Sequence, residues 1–314
     1  MPYFNPQRPK NTLMLVSLAA TLALAGCDSS EKDSSSESQA AATSTATSTA
    51  TAKAKAPVST DSVAKTDAQS KAESQKSAAK KAAAAKQGLP AIPDFASITD
   101  VKQKKQTFFD FMYDLVKRAN REVLAERATV DQWNPANGVS DNIAALIEKY
   151  RVEETLSPAD AKKELLKRVQ VIPASLVLAQ GANESAWGTS RFAKQGNNYF
   201  GQWCFVKGCG LVPKQRNDGA VHEVADFDHP MDSVRSYILN LNRHYTYDDL
   251  RNLRAKEIAK QGYATGINLA AGLINYSERR EEYVKEIRSM ISYNKLDKLD
   301  PTMLADIKAP AKEG

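Results

Sequence analysis

The segment from Cys27 to Gly88 contains no Leu, Ile, Met, Phe, Tyr or Trp. Val58 and Val63 are its larger apolar residues, and the remainder is mainly Ser, Ala, Thr, Lys and Gln. Such a stretch cannot bury enough surface to offset the entropy lost on ordering, so we expect a disordered tether over 27–88. As a flexible coil it reaches roughly 40–50 Å. Within it, Ser74 to Gln87 is rich in Ala and Lys and is expected to be transiently helical. Cysteine and histidine are scarce too, at three each. His222, His229 and His244 lack helical ligand spacing, and there is no second Cys pair, which argues against zinc. No basic block is interleaved with aromatics, so nucleic acid is not an expected partner. The formal charge of +6 is mild, and acidic and basic residues are mixed throughout.

The N-terminus has a different character. Arg8 and Lys10 precede an apolar run from Leu13 to Ala25. That run has the length of a signal-peptide core and falls short of the roughly 20 apolar residues a membrane span needs. It closes on Leu24-Ala25-Gly26-Cys27, which resembles the lipobox of bacterial lipoproteins. The resemblance implies removal of residues 1–26, lipidation of Cys27 and a chain held to a membrane in the periplasm. Asp28 resembles the signal that retains lipoproteins in the inner membrane of enteric-type bacteria, so that membrane is slightly favoured over the outer one. In an oxidising compartment, Cys204 and Cys209 read as a disulfide closing a small loop that contains Gly208.

Folding is expected to begin near Leu89-Pro90-Ala91-Ile92-Pro93 and to give one domain over 89–300. Apolar residues at three- and four-residue steps predict a helix from Val101 to about Glu126. Further helices are expected over Asp141–Tyr150, Pro158–Arg168, Pro173–Glu184, Asp232–Tyr245, Leu250–Gln261, Ile267–Leu273 and Tyr283–Ser292. Ser157-Pro158 and the proline at 173 are helix-start signals. Runs over Gly210–Gln215 and Val221–Phe227, with Asn217-Asp218-Gly219 between them, predict a β-hairpin. The expected fold is therefore mostly α with a small β-hairpin lobe, followed by an irregular tail over 301–314.

The helix opening at Pro173 is apolar or small until Gln180, the pattern of a buried helix. Glu184 lies one turn further on, near the helix end. Burial and the negative end of the helix dipole both disfavour the charged carboxylate. A glutamic acid that keeps its proton suits general-acid cleavage of a glycosidic bond. The run Gln180-Gly181-Ala182-Asn183-Glu184-Ser185-Ala186-Trp187-Gly188 resembles the catalytic-helix motif of the bacterial N-acetylglucosaminidases of glycoside hydrolase family 73. Asn197-Asn198-Tyr199-Phe200-Gly201 resembles the Asn-Asn-aromatic-Phe-Gly run that follows it there. The continuation Gly201-Gln202-Trp203-Cys204, with Cys209, is similar to the Bax-like branch of that family.

The resemblance implies a lysozyme-like fold, cleavage of the cell-wall glycan and Glu184 as general acid. Glu223 is the preferred second carboxylate, although the positions just before the Asn217-Asp218-Gly219 turn are not acidic. For the family's tyrosine, Tyr276 is favoured and Tyr263, in Gly262-Tyr263-Ala264-Thr265, is the alternative. Trp187, Asn198, Tyr199, Gln202, Trp203 and Tyr263 are candidate sugar contacts, whereas Phe200 is expected in the core. Acid catalysis with an activated water needs no cofactor or metal. The expected partners are peptidoglycan strands and the membrane, with the chain a monomer. The alternatives are a non-catalytic peptidoglycan-binding or scaffold lipoprotein, and a hydrolase of other N-acetylglucosamine glycans.

Overall fold

The computed structural model of the protein describes residues 75–213, 219 and 221–308. The proposed signal peptide, Cys27, Asp28, the tether up to residue 74 and most of the Asn217-Asp218-Gly219 turn lie outside the described residues.

A helix over 75–86 (α1) comes first, so this end of the expected tether is ordered and touches the domain. Lys76 and Lys80 each reach Asp226 at 2.6 Å. Then follow α2 (Val101–Gln132), α3 (Asp141–Lys149), α4 (Pro158–Arg168), α5 (Ala174–Ser185) and α6 (Arg191–Gly196). Their starts follow local chemistry: Asp100 accepts from the Gln103 amide, and Ser157 accepts from Asp160 ahead of Pro158. Three short strands come next, β1 (Trp203–Cys204), β2 (Gly210–Leu211) and β3 (Glu223–Ala225). The chain ends in α7 (Pro230–Arg243), α8 (Asp248–Gln261), α9 (Gly266–Leu269), α10 (Arg280–Tyr293) and α11 (Leu299–Lys308).

The result is the expected mostly helical architecture with a small β lobe. The lobe is more than a hairpin, however. β3 lies between β1 and β2 and is antiparallel to both, with Trp203 opposite Val224 and Leu211 opposite Val224. The strands are only two or three residues long, which is too short for a period-two pattern to reveal β1.

The tail expected to be irregular is instead helical up to Lys308. Met303 and Ile307 of α11 are buried, and α11 packs against α2 and α5. Its key residue is Asp300, which is 2% exposed. One carboxylate oxygen accepts from the Ser175 amide at 2.9 Å. The other accepts from the Ser175 hydroxyl at 2.7 Å and the Gly266 amide at 2.9 Å. A single side chain thus caps the first turns of α5 and α9, where helix amides lack partners of their own. The two turns are nearly in contact: a Cβ on Gly266 would stand 2.1 Å from Ser175 Oγ.

α5 occupies the centre. Every residue from Ala174 to Ala182 is buried, and its neighbours are α2, α9, α10 and α11. Just before it, the Asn120 amide of α2 pairs with both the N–H and the carbonyl of Ile172, at 3.1 and 2.9 Å. On the far side, the buried Arg254 donates to the carbonyls of Lys167 and Arg168 at the end of α4. Burial pushes its guanidinium down to about 9.

Removing Asp300 leaves two buried helix amides unpaired, so Asp300→Ala should lower unfolding stability by about 2–4 kcal/mol. Burial raises the Asp300 carboxyl from 3.8 to about 6 in spite of its three donors. The folded state then holds the proton more tightly than the unfolded one, and the stabilisation fades as pH rises through about 4 to 6. Thermal unfolding at pH 4.5 and 7.5 checks this: the stability margin of wild type over Asp300→Asn should be larger at the lower pH.

Candidate active site

The site forms where α5 ends. Its cap residue Ala186, Trp187 and Gly188 all have positive φ, at 49°, 59° and 77°. Two consecutive non-glycine residues in the left-handed region cost roughly 1–3 kcal/mol each, so the surrounding structure must hold them there. Three contacts do so. The Ser185 hydroxyl donates back to the Gly181 carbonyl and accepts from the Gly188 amide. Trp187 packs edge-on against Phe108 and Phe109, under the Lys105 ammonium. Gly188 abuts Phe95, where a Cβ would stand 2.4 Å from the ring. The Glu-Ser-Ala-Trp-Gly run is thus a rigid helix stop that fixes Glu184 in the last turn, half-buried rather than buried.

The Glu184 carboxylate accepts both its hydrogen bonds from the described residues on Oε1. Tyr283 of α10 donates its hydroxyl at 2.7 Å, and Asn183 donates at 3.3 Å. Tyr283 in turn accepts from Gln180 Nε2 at 2.8 Å, and Gln180 Oε1 accepts from the Tyr237 hydroxyl of α7. The donors therefore run in one direction, from Tyr237 through Gln180 and Tyr283 to Glu184. Gln180 and Glu184 are one helical turn apart, so α5 presents both ends of this relay on one face. Burial raises the Tyr283 and Tyr237 phenols well above their ordinary value, with the neighbouring Tyr276 as the next cause in each and Glu184 adding to both. They stay protonated and act as donors. Oε2 accepts no hydrogen bond from the described residues.

Tyr276, the favoured tyrosine, is close but does something else. Its ring stacks on Tyr283 at 5.4 Å and 10°, while its hydroxyl donates to the Phe200 carbonyl at 3.0 Å. The phenol in contact with the acid is Tyr283, which sequence reasoning placed only as helix follow-on. Tyr276 lies in the turn before α10 and Tyr283 in its first turn, and spacing alone could not say which one reaches Glu184. Tyr263 lies partly buried in the α8–α9 connection, after Gly262 has ended α8 in the left-handed region.

The Asn-Asn-Tyr-Phe-Gly run is mostly a brace. Asn198 is 1% exposed. Its amide donates to the carbonyls of Gln202 and Ala225, and its oxygen accepts from the amides of Phe200 and Gln202. Tyr199 is buried and stacks on Phe108. Phe200 is core, as expected, and stacks on Tyr237 at 4.1 Å. Gln202 exchanges hydrogen bonds with Ser233 at both ends of its amide. Asn198, Tyr199 and Gln202 are therefore corrected from sugar contacts to positioning residues: the two amides are engaged at both ends, and the Tyr199 ring is buried against Phe108. Trp187 is likewise packed among aromatics, whereas Trp203 is exposed and stacks on His222.

Glu223, expected as the second carboxylate, is buried beneath the β lobe. Its two oxygens accept from the amides of Gly208 and Gly210 at 3.0 and 2.8 Å. The adjacent Cys204 and Cys209 form the expected disulfide, with Cα atoms 6.2 Å apart. The two sulfurs and the Glu223 carboxylate lie within 4.8 Å of one another, but bridged sulfurs offer no thiolate to a metal. Glu223 holds the disulfide loop.

Residues 159–296, which include both ends of this relay, match the glucosaminidase family, described as mannosyl-glycoprotein endo-beta-N-acetylglucosaminidase. That segment is a glucosaminidase-type domain. It is 28% identical over 211 residues to protein bax of Escherichia coli strain K12, covering 65% of this chain and 74% of bax. The catalytic domain of the autolysin Auto from Listeria monocytogenes is similar at 16% identity and a TM-score of 0.37, over 67% of this chain and 99% of that one. The matched domain supports a glycosidase, and Glu184 lies within it at the end of the donor relay.

Replacing Tyr283 by Phe removes the donor on Oε1 and strands Gln180 Nε2. Turnover of an N-acetylglucosamine glycan should fall about 10- to 100-fold with KM nearly constant, equivalent to roughly 1.4–2.7 kcal/mol of transition-state stabilisation. The Tyr276→Phe variant should lose much less, because its hydroxyl bonds backbone. Steady-state kinetics of the two variants side by side checks the assignment; equal losses would overturn it.

Proposed function

We propose that the protein is a peptidoglycan hydrolase that cleaves the β-1,4 bond after N-acetylglucosamine, with Glu184 as the general acid. The observation that carries this reading is the relay ending on Oε1. It fixes the carboxyl group at the end of a buried helix and leaves Oε2 to deliver its proton to the leaving glycosidic oxygen. Water adds to the anomeric carbon, and its proton leaves with solvent or returns to Glu184. The phenols supply hydrogen bonds at constant protonation while the carboxyl group cycles.

The same reading gives the N-terminus its task. Cys27 carries the lipid anchor, residues 27–74 form the leash, and the domain works on the wall from the periplasmic face of a membrane. Among the described residues no helix is long and apolar enough to cross a membrane, and a lipid on Cys27 would supply the attachment.

A second reading, a binding or scaffold lipoprotein that holds glycan without cutting it, has one observation in its favour. Glu223 is committed to the disulfide loop and so is not placed as a base. Digestion of purified sacculi separates the two. Wild type should release muropeptides ending in reducing N-acetylglucosamine, seen by mass spectrometry, and Glu184→Gln should lose at least about 100-fold in rate. Binding to sacculi without release at any pH would establish the scaffold reading instead.

A further inference from the structure

The disulfide loop of the β lobe carries side chains that neither the core nor the acid uses. Trp203, Phe205 and Val206 are 60, 59 and 53% exposed, and the exposed Lys207 follows them. The loop is nevertheless held firmly. The Cys204–Cys209 bridge closes it, the Glu223 carboxylate grips the amides of Gly208 and Gly210, and the Cys209 amide donates to the Val206 carbonyl. The Trp203 ring is steadied by His222, stacked at 4.2 Å and 17°. A covalent bridge and a buried carboxylate thus keep three large apolar groups in water, as an interaction surface requires.

The composition of the loop selects the occupant. A sugar face wants hydrogen-bonding groups beside the aromatic ring, and Phe205 and Val206 add none. Trp and Phe next to a lysine are instead the side chains that settle at the boundary of a bilayer. The path of the chain points the same way. α1 is fastened to this lobe, with Lys76 and Lys80 on Asp226, the residue after β3. The chain that begins at Cys27 enters α1 directly after Ser74, so a lipid there would be tied to the domain through the helix fastened to this lobe. Held that close, even a weak patch is occupied, because tethering makes the second contact intramolecular.

We propose that the Trp203–Phe205–Val206 loop is a second membrane contact, which inserts into the headgroup boundary of the bilayer and sets how the domain faces the wall. The proposal rests on reading Cys27 as the lipid anchor.

The test uses the full processed chain, purified from membranes and returned to vesicles of phosphatidylcholine and phosphatidylglycerol. Of the three tryptophans, Trp133 is buried and Trp187 partly buried, so Trp203 dominates accessible fluorescence. Lipids carrying a shallow spin label should quench that emission, and Trp203→Phe should remove the quenched component. The exposed pair Phe205→Ser with Val206→Ser should weaken quenching about threefold at an unchanged Tm. Mass spectrometry of the N-terminal peptide reports the Cys27 lipid separately. A lipidated chain whose Trp203 is not quenched overturns the loop contact and leaves the anchor standing. A Trp203 emission shift with glycan oligosaccharides in place of quenching overturns it in favour of a sugar platform. A chain without lipid on Cys27 overturns the anchor and with it a second contact, whether or not Trp203 is quenched.

Discussion

The structure turns on the burial of α5. A helix surrounded on all sides by protein has no water for its unpaired ends, so each end needs partners from elsewhere in the chain. At the start, Asp300 arrives from the far end of the domain to take the Ser175 amide, and Asn120 fixes the approach at Ile172. At the finish, Ser185 turns back on its own helix and three left-handed residues bring the chain away. These demands recruit α2, α9 and α11, and most of the domain follows from them.

The same constraint produces the chemistry. Because α5 cannot fray, Gln180 and Glu184 keep a fixed spacing, and α7 and α10 can each contribute one phenol to a continuous series of hydrogen bonds. Only the last carboxylate of that series meets solvent. The cost of the strained Ala186–Trp187 turn is offset by ring packing against α2. Motif residues that look like a list of substrate contacts are thereby divided. Glu184 receives the relay, Ser185, Trp187 and Gly188 hold the helix end, and the Asn198–Gln202 brace holds the chain beside Phe200.

Local signals carried the helices well. Pro158 after Ser157, the steps of Phe108, Met112 and Leu115, and the Gly262 stop are written within a few residues of the structure they cause. α11 was not legible, because Asp300 works across 125 residues of chain to Ser175, a pairing no window contains. β1 is two residues long, and its partner β3 is about 20 residues away. At the site, Glu184 was legible from its helix and its motif. Glu223 and Asn198 were misread because a polar residue near a cleft gives the same sequence signal whether it faces substrate or backbone. Only the count of bonds already made distinguishes the two.

The β lobe is coupled to the acid through backbone rather than through charge. Asn198 ties Ala225 of β3 to the turn at Phe200 and Gln202. The carbonyl of Phe200 then holds the Tyr276 hydroxyl, and the Tyr276 ring lies flat on Tyr283, which bonds Glu184. A displacement of the lobe would reach the Glu184 carboxyl through five contacts, four hydrogen bonds and one stacked ring pair. The disulfide and the buried Glu223 make the lobe stiff, and a stiff lobe transmits position rather than absorbing it.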